Sequence, residues 1–168
     1  MIPFKIHILG CGSALPTLHH NATCQIVEIR GKFFMIDCGE GTQIAMREKG
    51  WSPYPIDTIC FTHYHADHIS GLPGMLLSMG NAERTKPVTM IGPKGLARVV
   101  NGLRSIAPEL PFAIEYREIQ EEEQRFSCES FQLEAFKVQH SIPCFGYKIT
   151  IPRSGKFSVD RAREAGIP

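Results

Sequence analysis

Apolar and polar positions alternate from Phe4 to Leu9 as in a strand with one buried face. Short apolar or alternating runs follow at Cys24 to Ile29, Phe33 to Asp37, Thr58 to Phe61 and Val88 to Ile91, each bounded by Gly, Pro or Asp, and these read as strands. Helices fit between them. Thr42 to Lys49 stops at Gly50, Ile69 to Met79 stops at Gly80, and Gly95 to Ile106 stops before Pro108. The second half turns strand-rich, with Phe112 to Ile119, Phe131 to Gln139 and Phe145 to Ile151, and its acidic run Glu121-Glu122-Glu123 reads as a solvated turn. Strands alternating with helices, then a run of strands, predict an α/β sheet with helices on one face and polar loops gathered along one edge.

Composition adds bounds. With 168 residues, 43% apolar and 21% charged, the chain is expected to form one globular domain with a core of its own. It has no run of about 18 apolar residues, and its first residues turn polar too soon for a secretion signal, so a cytoplasmic protein with no membrane partner is expected. Six cysteines are scattered without a C-x-x-C pair, which argues for buried thiols over a zinc ribbon or a disulfide framework. A formal charge of +1 supplies no bulk attraction for nucleic acid.

Candidate chemistry is concentrated in Thr62-His63-Tyr64-His65-Ala66-Asp67-His68, directly after the apolar Ile59-Cys60-Phe61. Neutral imidazoles and a carboxylate suit zinc at neutral pH. A turn leaving a strand can aim alternate residues at one ion and the next pair at another, which places His63 and His65 on a first ion and Asp67 and His68 on a second. Two ions about 4 Å apart can share a hydroxide and clamp an in-line displacement at phosphorus. His140, in Val138-Gln139-His140-Ser141-Ile142-Pro143, stands where a strand ends, as His63 does, and is the fifth candidate ligand.

These residues and their flanks resemble the ribonuclease Z branch of the metallo-β-lactamase superfamily. His-x-His-x-Asp-His indicates only the superfamily; the branch is carried by Leu9-Gly10-Cys11-Gly12-Ser13-Ala14-Leu15-Pro16-Thr17, Ile36-Asp37-Cys38-Gly39-Glu40-Gly41-Thr42-Gln43, His68-Ile69-Ser70-Gly71-Leu72-Pro73-Gly74, Ile91-Gly92-Pro93-Lys94-Gly95 and His140-Ser141-Ile142-Pro143-Cys144-Phe145-Gly146-Tyr147. The resemblance implies the N-terminal half of an αββα sandwich, a mixed sheet with helices on one face. It implies His63, His65 and His140 at one Zn2+ and Asp67 and His68 at the other, with Mn2+ or Mg2+ as alternative metals. Asp67 would also assist proton transfer, and Asp37 would support the metal loop, with a helix-capping role as its alternative. The implied reaction is removal of the 3′ trailer from precursor tRNA by metal-hydroxide attack on a phosphodiester.

Two departures from that family stand out. Cys11 and His20-Asn21 replace its more usual Thr and Arg-Asn, and His20 reads as a surface residue, with a substitute RNA contact as the alternative. Family members are nearly twice as long, drawing a bridging Asp, a further His ligand, a candidate general-acid His and a tRNA-gripping arm from beyond the stretch that resembles Gly155-Lys156-Phe157 to Pro168. Residues 1–168 are therefore read as the N-terminal part of such a domain, without the C-terminal half or the arm. The chain alone is expected to be inactive and to homodimerise over an uncovered sheet face. The competing expectations are another hydrolase of the superfamily (a lactonase, thioesterase or small phosphodiesterase) and a non-catalytic metal-binding fragment.

Overall fold

The computed structural model describes residues 4–14, 16–107, 109–128, 131–152 and 158–166. Leu15, Pro108 and the stretches 1–3, 153–157 and 167–168, which enter the sequence readings above, lie outside the described residues. Six strands form the main sheet in sequence order: β1 (Phe4–Gly10), β2 (Cys24–Ile29), β3 (Lys32–Ile36), β4 (Ile56–Cys60), β5 (Val88–Gly92) and β6 (Ile114–Glu118). The first two pairings are antiparallel and the next three parallel. Parallel neighbours need crossovers, and helices supply them. Helix α1 (Thr42–Glu48) joins β3 to β4, α2 (Ala66–Ile69) and α3 (Leu72–Asn81) join β4 to β5, and α4 (Leu96–Leu103) leads toward β6.

Period decides which face each element buries. Cys24 and Ile26 of β2 face the helices and pack with Met46 of α1, Leu72, Met75, Leu76 and Met79 of α3, and Leu96 and Val100 of α4. The alternate residues Val27 and Ile29 face the other way, with Phe34, Cys60 and Ile91, into a second core. That core is closed by a three-stranded antiparallel sheet, β7 (Glu123–Ser127), β8 (Gln132–Val138) and β9 (Cys144–Thr150), which contributes Phe126, Leu133, Ala135 and Phe145. A last helix, α5, spans Val159–Glu164. The fold is thus three layers, helices, a mixed sheet and a smaller antiparallel sheet, arranged as the resemblance to a metallo-β-lactamase sandwich implies.

Four expectations need correction. Glu123 starts β7, so only Glu121 and Glu122 belong to the turn; the apolar signal of this strand is confined to Phe126, since its alternate residues face solvent. The single helix expected over Ile69 to Met79 is two helices broken at Ser70-Gly71. The main sheet does not present a bare apolar face, because the small sheet covers it. What stays open is the edge strand: Phe4, Ile6 and Ile8 pair with Ile29, Val27 and Gln25, share their face, and are 43%, 52% and 65% exposed. Finally, Cys11 is exposed and Cys128 half-buried, whereas Cys24, Cys38, Cys60 and Cys144 are the buried thiols expected.

Candidate metal centre

The loops that leave the carboxyl ends of β3, β4 and β5 lie at one edge of the main sheet, the usual place for a site in a parallel α/β sheet. The chain leaving β4 forms Thr62 to His65 and then α2. It is clamped from below by the segment after β3. The Cys38 amide donates to the His68 carbonyl and the Gly71 amide donates to the Cys38 carbonyl. Neither contact leaves room for a side chain: a Cβ on Gly71 would stand 2.0 Å from the Gly39 carbonyl oxygen, and one on Gly39 would stand 2.3 Å from that of Asp67. The glycines of Asp37-Cys38-Gly39 and Ser70-Gly71 are the requirement of two backbones in contact.

Asp37 sits at the centre of this clamp. It is buried, adopts a positive φ of 59°, and its amide still extends the ladder by donating to the Cys60 carbonyl. A left-handed backbone at an aspartate is uncommon. Here it turns the carboxylate under the loop. There it accepts from the Thr62 amide at 2.8 Å and lies 2.8 Å from both the Thr62 hydroxyl and His68 Nδ1.

The structure brings together His63, which is buried, His65, which is half-buried, and His140, which is exposed. His63 Nε2 and His140 Nε2 lie 3.1 and 3.2 Å from His65 Nδ1. Among the described residues this is the only group of three or more His, Cys, Asp or Glu ligand atoms so gathered. His140 arrives from the β8–β9 turn, whose position is set by β9: the Phe145 amide donates to the Thr62 carbonyl and the Tyr147 hydroxyl donates to the Phe61 carbonyl at 2.7 Å. Asp67 and His68 stand beside the trio, with His68 Nε2 3.7 Å from Asp67 Oδ2 and the His63 and His68 rings 4.1 Å apart. The Ala14 amide donates to Asp67 Oδ2 at 3.0 Å, so the β1–β2 loop closes onto the site. An open depression of about 610 Å³ adjoins His140.

Electrostatics divides the histidines. Burial, then repulsion from His68, pushes the pKa of His63 down from 6.5 to about 4, against the pull of Asp37. Burial also opposes the charge on His68, but the hydrogen bond and charge of Asp37 and the charge of Asp67 outweigh it and raise its pKa. For Asp67, partial burial is outweighed by the Ala14 amide and by His68 and His63, so its pKa falls below 3.8. His63 and Asp67 thus expose lone pairs at neutral pH.

Those donors fit a tetrahedral ion. Ligand nitrogens on zinc, with bonds of about 2.0 to 2.1 Å, stand about 3.3 Å apart, close to the 3.1 and 3.2 Å found here. His19 and His20 are exposed on the β1–β2 loop, and His7 lies edge-on to Trp51 on the helix side. Sequence reasoning assigned no role to Thr62, Ala14 or Tyr147. A hydroxyl directly before the first histidine was the one legible sign; the other two act through an amide and a long-range contact.

The family model described as anti-Pycsar protein Apyc1 matches residues 4–165. The chain belongs to that family. Within the metallo-β-lactamase fold it is also similar to ribonuclease Z of Lachnospira eligens, with 54% identity over 96% of this chain and 53% of the relative, and to ribonuclease Z of Agathobacter rectalis, with 53% identity over the same shares. The chain spans about half the length of these curated relatives. The crystal structure of human tRNase Z, short form, superposes with a TM-score of 0.78 at 27% identity, covering 87% of this chain and 64% of that one.

Proposed function

We propose that His63, His65 and His140 hold one divalent ion and Asp67 and His68 a second, in an endoribonuclease that removes the 3′ trailer from precursor tRNA. Zinc suits three imidazoles and carboxylate oxygen, with Mn2+ or Mg2+ as substitutes. The convergence of three ring nitrogens at 3.1 and 3.2 Å carries the metal reading. The ribonuclease Z relatives carry the substrate. Because they are about twice as long, the reading places these residues in the N-terminal part of a metallo-β-lactamase-fold domain whose other half supplies the remaining ligands.

Divalent ions bound there supply Lewis acidity toward water and phosphoryl oxygens. The side chains do the rest. His63 stays neutral and keeps a lone pair on Nε2; Asp67, held ionised by the Ala14 amide, can accept a proton at its carboxylate. A small phosphodiester is the second reading, favoured by a net charge of +1 that gives no general attraction for a polyanion. The open apolar edge formed by Phe4, Ile6 and Ile8 supports a homodimer as the state of this chain by itself.

Elemental analysis tests the centre. His63→Ala and His65→Ala should lose bound zinc while His19→Ala keeps it, and equal content in all three would end the assignment. A full-length protein carrying these residues should cut precursor tRNA once, leaving a 3′-hydroxyl on the tRNA. Cleavage of small diesters but not of precursor tRNA would select the second reading.

A further inference from the structure

Thr62 uses every polar atom it has. Its amide donates to Asp37 Oδ1 at 2.8 Å, its carbonyl accepts from the Phe145 amide at 3.0 Å, and its hydroxyl oxygen lies 2.8 Å from Asp37 Oδ2, 2.9 Å from His63 Nδ1 and 3.4 Å from His68 Nδ1. A threonine hydroxyl has one proton to give, and an ionised carboxylate can only accept. The shortest of these contacts runs to Asp37 Oδ2, and a hydrogen bond to a charged acceptor is the strongest on offer. The hydroxyl proton therefore points at Asp37, and its lone pairs face His63.

A ring nitrogen that meets a lone pair must bring the proton itself. His63 then carries its hydrogen on Nδ1 and leaves Nε2 bare, and Nε2 is the atom that meets His65 and His140. His68 Nδ1, 2.8 Å from Asp37 Oδ2, must likewise carry a hydrogen, so that in the neutral ring Nε2 is the bare atom on the side of Asp67. We infer that Thr62 is a positioning residue that extends the hold of the Asp37 carboxylate to His63, so that one buried carboxylate sets the tautomer of a histidine in each ligand group. Cys144 Sγ, 3.7 Å from His63 Nδ1, is too distant and too weak an acceptor to take over that role.

The inference deepens the metal reading, and rests on His63 and His68 ligating through Nε2. Its consequence differs from that of losing a ligand. Thr62→Val keeps a β-branched side chain and both backbone bonds but offers His63 no acceptor. Thr62→Ser keeps the hydroxyl. Loss of a partner behind a metal-bound histidine weakens metal affinity by about 10- to 100-fold, and the serine variant should recover most of it. In the zinc-loaded wild-type chain, labelled with 15N-histidine, NMR should show His63 and His68 as Nδ1–H tautomers bound through Nε2. In Thr62→Val the His63 Nδ1–H should exchange quickly with water while that of His68 remains protected, with far-ultraviolet circular dichroism unchanged. Equal zinc affinity and equal His63 exchange in wild type and Thr62→Val would overturn the relay. So would a Thr62→Ser variant as weak as the valine. If the wild-type chain retains no zinc, the metal reading fails by itself. The same exchange comparison on the metal-free chain then decides the relay, with protection of His63 Nδ1–H lost in Thr62→Val supporting it and no difference overturning it.

Discussion

Two loops bring the imidazoles of the centre together, and they are held very differently. The loop after β4, which carries His63, His65, Asp67 and His68, is bonded to Asp37 and Cys38, and its Asp67 carbonyl and the following Gly71 lie against Gly39 at distances that admit no Cβ. The β8–β9 turn carries His140 on residues that are mostly exposed, from Val138 to Ser141, and is located from a distance by Phe145 and Tyr147 of β9. The first loop is preorganised by its own surroundings. The second inherits its position from the packing of one sheet on another, so His140 is only as well placed as that packing is sound.

The largest effect should come from breaking the first loop without touching a ligand. Gly71→Ala drives a methyl group into the Gly39 carbonyl, and backbone atoms cannot step aside as a flexible side chain can. A loss of about 3 kcal/mol of stability is expected, together with loss of bound metal. Ser141→Ala on the exposed turn should fall within about 0.5 kcal/mol of wild type. Urea unfolding of the two variants checks this, and equal midpoints would remove the contrast between the loops.

Acid should separate the two ligand groups within the first loop. Protons compete with metal wherever the free ligand holds them, and His68 holds its proton above the ordinary 6.5 while His63 releases it until about pH 4. As pH falls, protons should compete for His68 before they compete for His63, so of the two proposed ions the one at Asp67 and His68 should leave first, giving two steps in zinc content. In the metal-free chain the two residues act with opposite sign. The contribution of His68 to stability is present below pH 6.5 and fades as pH rises through its raised folded value, whereas His63 costs stability as pH drops from 6.5 toward 4. A single zinc-release step would merge the two groups.

The smallest effect belongs to the surface beside His140. Lys137 pairs with Glu122 at 2.6 Å, but both side chains stand largely in water, where such a pair adds little. Lys137→Ala should leave the melting temperature and the zinc content unchanged. A clear drop in either would mean that the second loop is held by its rim as well as by β9.

Most strands and helices were legible because their apolar periods are set by burial on one face, as in the alternation of β2 between Ile26 and Val27. Strand β7 was not, since its single buried side chain, Phe126, makes no pattern. The break at Ser70-Gly71 was missed because apolar residues resume directly on its far side, at Leu72; Gly71 is there for the sake of Gly39, a residue far off in the chain. The cysteines divided for a similar reason: exposure of Cys11 depends on where a loop projects, which composition does not express.

The amino-acid sequence by itself determined the chemistry on offer: three imidazoles and a carboxylate within the span from His63 to His68, a further histidine at a strand end, and the glycines that let backbones meet. Spacing along one turn is local, so it can be read from one dimension. The family resemblance already implied that His140 joins His63 and His65, but tertiary structure alone decided how these rings meet, that Asp37 reaches both His68 and the Thr62 hydroxyl, and that a second sheet covers the first. Those are contacts between segments distant in the chain, and only the burial of apolar faces against one another brings such segments to hydrogen-bonding distance.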